Sequence, residues 1–152
     1  MNRGDPRVSP RGPFIAALGF VTTDNAQSVN PPTLLVVDDD PEIRMLLSDL
    51  FSREGFRVDV ADDGAAAILF LEQHEPPSAI LLDILMPGIL GSSVLAYLAS
   101  KPTLEHIPVA IVSSSPHLAP VGYQLFKKPL RFAPLLEFVR NACGTDRPTE
   151  LA

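Results

Sequence analysis

The chain has little cysteine, few cationic side chains and no long apolar run, and each shortage excludes something. A single cysteine, Cys143, leaves no partner for an intramolecular disulfide and fits a reducing compartment. Twelve Lys and Arg against eighteen Asp and Glu give a formal charge of −6. That balance argues against a nucleic-acid surface, which needs clustered cations. No apolar run approaches the ~18 residues that suggest a membrane span. His74, His106 and His117 lack metal-ligand spacing and read as surface residues. What the 152 residues do have is 46% hydrophobic side chains. That is enough for one buried core, and it excludes a disordered chain.

Residues 1–32 differ from the rest. Five of the sixteen prolines fall there (Pro6, Pro10, Pro13, Pro31, Pro32), with Gly4 and Gly12 between them. Proline removes donors and turns its predecessor away from helix, so a flexible Pro-rich extension is expected. Phe14 to Val21 follows three arginines and loosely imitates a signal peptide, but its apolar part is short and no A-x-A-like site follows.

From Thr33 onward, strand and helix patterns alternate. Leu34-Leu35-Val36-Val37, Ala79-Ile80-Leu81-Leu82 and Val109-Ala110-Ile111-Val112 are continuous apolar runs, as expected of strands buried on both faces. Phe56, Val58 and Val60 alternate with polar residues, which predicts a half-exposed edge strand. Tyr123 to Lys127 is a weaker fifth. Between them, Asp40-Pro41 opens a helix with Ile43, Leu46, Leu47, Leu50 and Phe51 on one face, stopped by Gly55. A second helix is predicted over 65–74 and a third from a Ser92 or Ser93 cap to about Ser100. A last one runs from Pro134 to Gly144, with Cys143 packing near its end. Alternation of this kind gives a parallel sheet covered on both faces. The tail, 144–152, is expected to be disordered.

The charged residues fall just beyond the buried runs. Asp38-Asp39-Asp40 follows the first strand, Asp83 the third, Ser113-Ser114-Ser115 the fourth and Lys127-Lys128 the fifth. In open α/β sheets, ligands bind outside the carboxyl ends of the strands. Neighbouring carboxylates repel unless one is protonated or a cation sits among them. A hard divalent ion such as Mg²⁺ suits a few carboxylates plus a phosphate. A lysine suits a phosphoryl oxygen, and an aspartate can itself be the nucleophile. The set looks built to receive a phosphoryl group. Capping of the helix at Pro41 is the plainer reading of Asp38 to Asp40, and it loses ground once Asp83 and Lys128 are in register.

Leu35-Val36-Val37-Asp38-Asp39-Asp40-Pro41 resembles the first strand and acidic pair of response-regulator receiver domains. Leu81-Leu82-Asp83-Ile84-Leu85-Met86-Pro87-Gly88, with Gly91 after it, resembles their phosphoacceptor motif. Ile107-Pro108-Val109 leading to Ser113, and Lys128-Pro129, resemble the switch strand and the Lys-Pro pair. The resemblance spans roughly Thr33 to Cys143, so 33–143 is taken as the receiver domain. It implies a flavodoxin-like, doubly wound α/β fold with five parallel strands in the order 2-1-3-4-5, an order taken over from the family. It implies that Asp83 accepts a phosphoryl group from a histidine kinase or histidine phosphotransfer protein. Asp38 and Asp39 would hold Mg²⁺ with Asp83 and the Leu85 main-chain carbonyl. Lys128 would pair with the phosphoryl oxygen and Ser113 would move to hydrogen-bond it. The expected role is a stand-alone, cytoplasmic signalling domain, not an enzyme, acting on an unidentified downstream protein, with room for a homodimer.

Two departures bear on output. Between Ser113 and Lys128, about nine residues remain for the crossover, with Pro116 and Pro120 among them. The helix usual between strands four and five is therefore expected to be missing or reduced to a turn. The family's aromatic switch position falls on Leu125, with Tyr123 out of register, so conventional Ser/aromatic coupling is not expected. An alternative is a degenerate receiver that binds a partner through this altered face without regulation by phosphate. A small Mg²⁺-dependent phosphatase is disfavoured, since Asp83 is followed by Ile84 and Leu85 with no general acid at that spacing.

Overall fold

The computed structural model describes residues 30–88 and 90–144. The expectations for the N-terminal extension and for the tail beyond Gly144 lie outside these residues, except for 30–32. Five strands, β1 (Thr33–Val37), β2 (Arg57–Ala61), β3 (Ala79–Asp83), β4 (Val109–Ser113) and β5 (Gln124–Lys127), form one parallel sheet in the order β2-β1-β3-β4-β5. Among the described residues, four α-helices connect or follow them: α1 (Pro41–Arg53), α2 (Gly64–Gln73), α3 (Gly91–Ala99) and α4 (Phe132–Cys143).

The apolar runs are continuous because alternate residues serve opposite faces. Leu35, Val37, Ile80, Leu82, Val109 and Ile111 join Ala67, Leu71, Val94 and Leu98 in a core under α2 and α3. Leu34, Val36, Leu81, Ala110 and Val112 join Leu47, Phe51, Leu135 and Val139 in a second core under α1 and α4. Phe51 is the pivot of that second face, edge-on to Phe56 and to Phe132. β2 is an edge strand as expected, and its Val60 opens onto a groove beside α1 that Met45 and Leu46 also line.

Asp40 caps α1, its carboxylate accepting the Glu42 N–H at 2.9 Å, and Pro41 sits in the first turn. Asp63 does the same for α2 through the Ala66 N–H at 2.7 Å. Two helix starts differ from expectation. Neither Ser92 nor Ser93 caps α3: the cap position is Leu90, without a side-chain bond. The helix is seated directly on the β3 loop, where the Gly91 N–H donates to the Ile84 carbonyl at 3.2 Å. A serine cap is not needed where the loop backbone accepts. α4 begins at Phe132, two residues before Pro134. Proline is compatible with any position of the first turn, where the N–H has no intrahelical acceptor.

Between β4 and β5 only a single 3₁₀ turn, Pro116–Leu118, is present. Residues 114–123 are too few and too proline-rich for a packed helix. Gly122 completes the return with φ +96°. Val121, in this connection, is 93% exposed, and Leu118 and Tyr123 are exposed beside it.

Candidate functional site

Strand register builds the site. Val37 lies opposite Leu82, so the next residues, Asp38 and Asp83, emerge side by side at the carboxyl end of the sheet. On the other side Asp83 pairs with Val112, and Ser113 pairs with Lys127, which delivers Lys128 to the same rim. The Lys128 N–H donates to the Ser113 carbonyl at 3.0 Å, and the Lys128–Pro129 peptide is cis.

Carboxylate oxygens of Asp38, Asp39 and Asp83 lie within 4.8 Å of one another. Asp38 and Asp83 are buried, with side chains 3% and 6% exposed, while Asp39 faces solvent. The Lys128 ammonium donates to Asp38 Oδ2 at 2.8 Å and approaches Asp83 Oδ2 at 3.4 Å. One cation among three carboxylates leaves a formal excess of two negative charges. Asp38 is further held by its N–H to the Ala61 carbonyl at 3.2 Å and by the Asp40 N–H to its Oδ1 at 2.9 Å. Asp83 Oδ1 accepts the Leu85 N–H at 3.1 Å.

Burial raises the Asp83 pKa above the ordinary carboxylate value. Lys128 pulls it down and the neighbouring Asp38 pushes it further up. Burial also works against the charge on Lys128, but the bonds and fields of Asp38 and Asp83 outweigh it and raise that pKa. The resulting site favours a positive charge and disfavours uncompensated carboxylates. Three clustered carboxylates with hard oxygen donors fit a small divalent cation, so the residues present suit Mg²⁺.

The structure brings together Asp38, Asp39, Asp83 and Lys128. Ser113 is fully buried at the end of β4, its hydroxyl accepting the Ser115 N–H at 2.9 Å. No hydrogen bond joins Ser113 to Asp83 among the described residues. Leu85 lies in the β3 loop, 45% exposed and flanked by the buried Ile84 and Met86. Gly91 packs so closely on this loop that a Cβ there would lie 2.5 Å from the Asp83 carbonyl oxygen.

The model of the response regulator receiver domain family matches residues 34–124, more than half of the chain. The chain belongs to that family. The sensor histidine kinase TmoS of Ectopseudomonas mendocina is 29% identical over 134 residues, which cover 73% of this chain and 14% of TmoS. The response regulator PleD of Caulobacter vibrioides is 39% identical over 82 residues, 53% of this chain and 18% of PleD. The chain thus spans a small part of these multidomain relatives. Among solved structures, the response regulator TrrA of Thermotoga maritima, in complex with Mg²⁺-BeF, is 28% identical with a TM-score of 0.64. That match covers 73% of this chain and 98% of TrrA. The family and the five-stranded fold expected from the motifs are as observed, with the β4–β5 helix reduced to a turn. Receiver domains are typically non-enzymatic signalling modules that bind Mg²⁺ at such an acidic pocket and interact with histidine kinases or phosphotransfer proteins. No helix among the described residues is long and apolar enough to cross a membrane.

One site residue escaped the sequence reading. Arg44, on α1, donates from its guanidinium to the Asp38 carbonyl at 2.8 Å. The acceptor is a backbone group six residues back, so no side-chain pattern marks it.

Proposed function

We propose that this chain is a phosphorylatable cytoplasmic relay, with Asp83 the phosphoacceptor. The observation that carries the reading is the convergence of Asp38, Asp39 and Asp83 oxygens within 4.8 Å, with the Lys128 ammonium against Asp38 and Asp83. An Asp83 oxygen attacks the phosphorus of a phosphohistidine on a histidine kinase or phosphotransfer protein. The new P–O bond forms as the P–N bond breaks, and its electron pair stays on the imidazole nitrogen. An ionised carboxylate oxygen is a competent nucleophile for this transfer. Asp38, Asp39, Asp83 and the Leu85 main-chain carbonyl would hold Mg²⁺. The bound ion would offset charge on the transferring phosphoryl oxygens. Lys128 supplies a second, fixed positive charge to the same oxygens. The Ser113 hydroxyl accepts from Ser115 but keeps its own proton, which it can donate to the phosphoryl group after a shift of the loop. The chain would turn over no substrate beyond its own aspartate.

The test is intact-mass spectrometry after incubation with acetyl phosphate, with and without Mg²⁺, beside Asp83→Ala. A Mg²⁺-dependent phosphoryl adduct, absent from Asp83→Ala, is expected. A folded wild type with no adduct would move the assignment to the second reading, a degenerate receiver that binds its partner without phosphate. That reading draws on one observation, the β4–β5 connection reduced to a 3₁₀ turn with Leu118, Val121 and Tyr123 exposed.

A further inference from the structure

Asp39 is the exposed member of the acidic cluster, yet its backbone is held on both sides. The peptide group before it contributes the Asp38 carbonyl, which accepts from Arg44 at 2.8 Å. The peptide group after it contributes the Asp40 N–H, which donates to Asp38 Oδ1 at 2.9 Å. Holding both peptide planes restrains φ and ψ at Asp39 and hence the direction in which its Cα–Cβ bond leaves the chain. Arg44 is itself anchored to the same turn, since its own N–H donates to the Asp40 carbonyl at 3.0 Å. Backbone and side chain of Arg44 together close a clasp over Asp38–Asp40.

We infer that Arg44 is a positioning residue for the divalent-cation site, acting through the Asp38 carbonyl to hold Asp39 in a Mg²⁺-ready orientation. The inference rests on the proposed Mg²⁺ site. Two effects of Arg44 oppose each other. Its positive charge near the cluster disfavours a further cation, whereas its hydrogen bond pre-organises a ligand. If charge dominated, Arg44→Ala would bind Mg²⁺ more tightly; if positioning dominates, it binds less tightly. Mg²⁺ demands near-ideal octahedral geometry, while Ca²⁺ accepts a looser set of oxygens. Loss of the clasp therefore costs Mg²⁺ more than Ca²⁺, although both ions carry the same charge.

The experiment is calorimetric titration of the full chain with Mg²⁺ and, separately, Ca²⁺, for wild type, Arg44→Ala and Arg44→Lys. Denaturant unfolding in EDTA checks each fold. Arg44→Ala is expected to weaken Mg²⁺ binding about five-fold, the net worth of one hydrogen bond, with a smaller loss for Ca²⁺. Arg44→Lys keeps a donor and should recover part of the Mg²⁺ affinity. Unchanged or tighter Mg²⁺ binding by Arg44→Ala, or equal losses for both ions, overturns the inference and leaves the Mg²⁺ site standing. If Arg44→Ala fails to fold, Arg44→Met, which keeps the aliphatic stem but no donor, decides: an unchanged Mg²⁺ to Ca²⁺ preference in that variant overturns the inference. A wild type that binds no Mg²⁺ removes the site and the inference together, an outcome distinct from the others.

Discussion

Gly91→Ala is the most exacting test of how the loop between β3 and α3 is built. Gly91 opens α3 with an ordinary negative-φ backbone, so alanine is conformationally permitted. By intrinsic helix preference alone the change would stabilise by up to about 1 kcal/mol. Space decides otherwise. A Cβ would lie 2.5 Å from the Asp83 carbonyl oxygen, 2.7 Å from Ile84 Cα and 3.1 Å from Ile84 Cδ1. Carbon contacts are comfortable at roughly 3.5–4.0 Å, so the overlap is on the order of 1 Å. Two of the three atoms are backbone and cannot rotate away. Overpacking costs about 1–3 kcal/mol, and rigid obstacles place this site near the upper end. Net destabilisation of about 2 kcal/mol is expected. The measurement is equilibrium urea unfolding in EDTA, where an m-value of ~1–3 kcal/mol/M turns that loss into a midpoint shift of about 1 M. Gly88→Ala is the reference. Gly88 has φ +78° but nothing within 4 Å of a built Cβ, so only backbone strain of about 1–2 kcal/mol applies. An Asp83 loop displaced by the new methyl should also give less phosphoryl adduct. A Gly91→Ala midpoint equal to or above wild type would refute the close-packing argument.

Asp83→Asn should stabilise the metal-free protein at neutral pH and lose that advantage in acid. A raised folded pKa means that the native state holds a proton the unfolded chain has already released. Stability from Asp83 is therefore full below the ordinary carboxylate value of 3.8 and is lost as pH rises through the higher folded value. At pH 7 the variant should be the more stable, and the gap should close below pH 3.8; urea midpoints across that range check it, and a wild type more stable at pH 7 would contradict the burial argument. Burial pushes the Cys143 thiol up to about 11, so roughly one molecule in a thousand carries the thiolate at pH 8. Ellman's reagent should react with native protein far more slowly than with protein in denaturant, and equal rates would disprove that burial protects it.

Much of this structure was legible because its signals are one-dimensional. A strand buried on both faces must be apolar throughout, and β1, β3 and β4 announce themselves. An aspartate or lysine after such a run has to leave the sheet at its carboxyl rim, which is why Asp38, Asp83 and Lys128 could be grouped before their distances were known. The shortened β4–β5 crossover followed from residue count and two prolines. What stayed hidden depends on contacts with the backbone. The Ser92 or Ser93 cap was a fair reading of composition, but the Ile84 carbonyl already accepts from the first turn of α3. The need for glycine at position 91 comes from Asp83 and Ile84 across a loop, and residue type alone cannot distinguish it from a turn glycine. Arg44 is the sharpest case: its acceptor is a carbonyl, which every residue has. Side-chain chemistry shows which groups can gather at a site, while the backbone acceptors and close contacts that hold them emerge only from the fold. Arg44 and Gly91 are therefore the positions where substitution should separate a merely acidic cluster from one shaped to take a phosphoryl group.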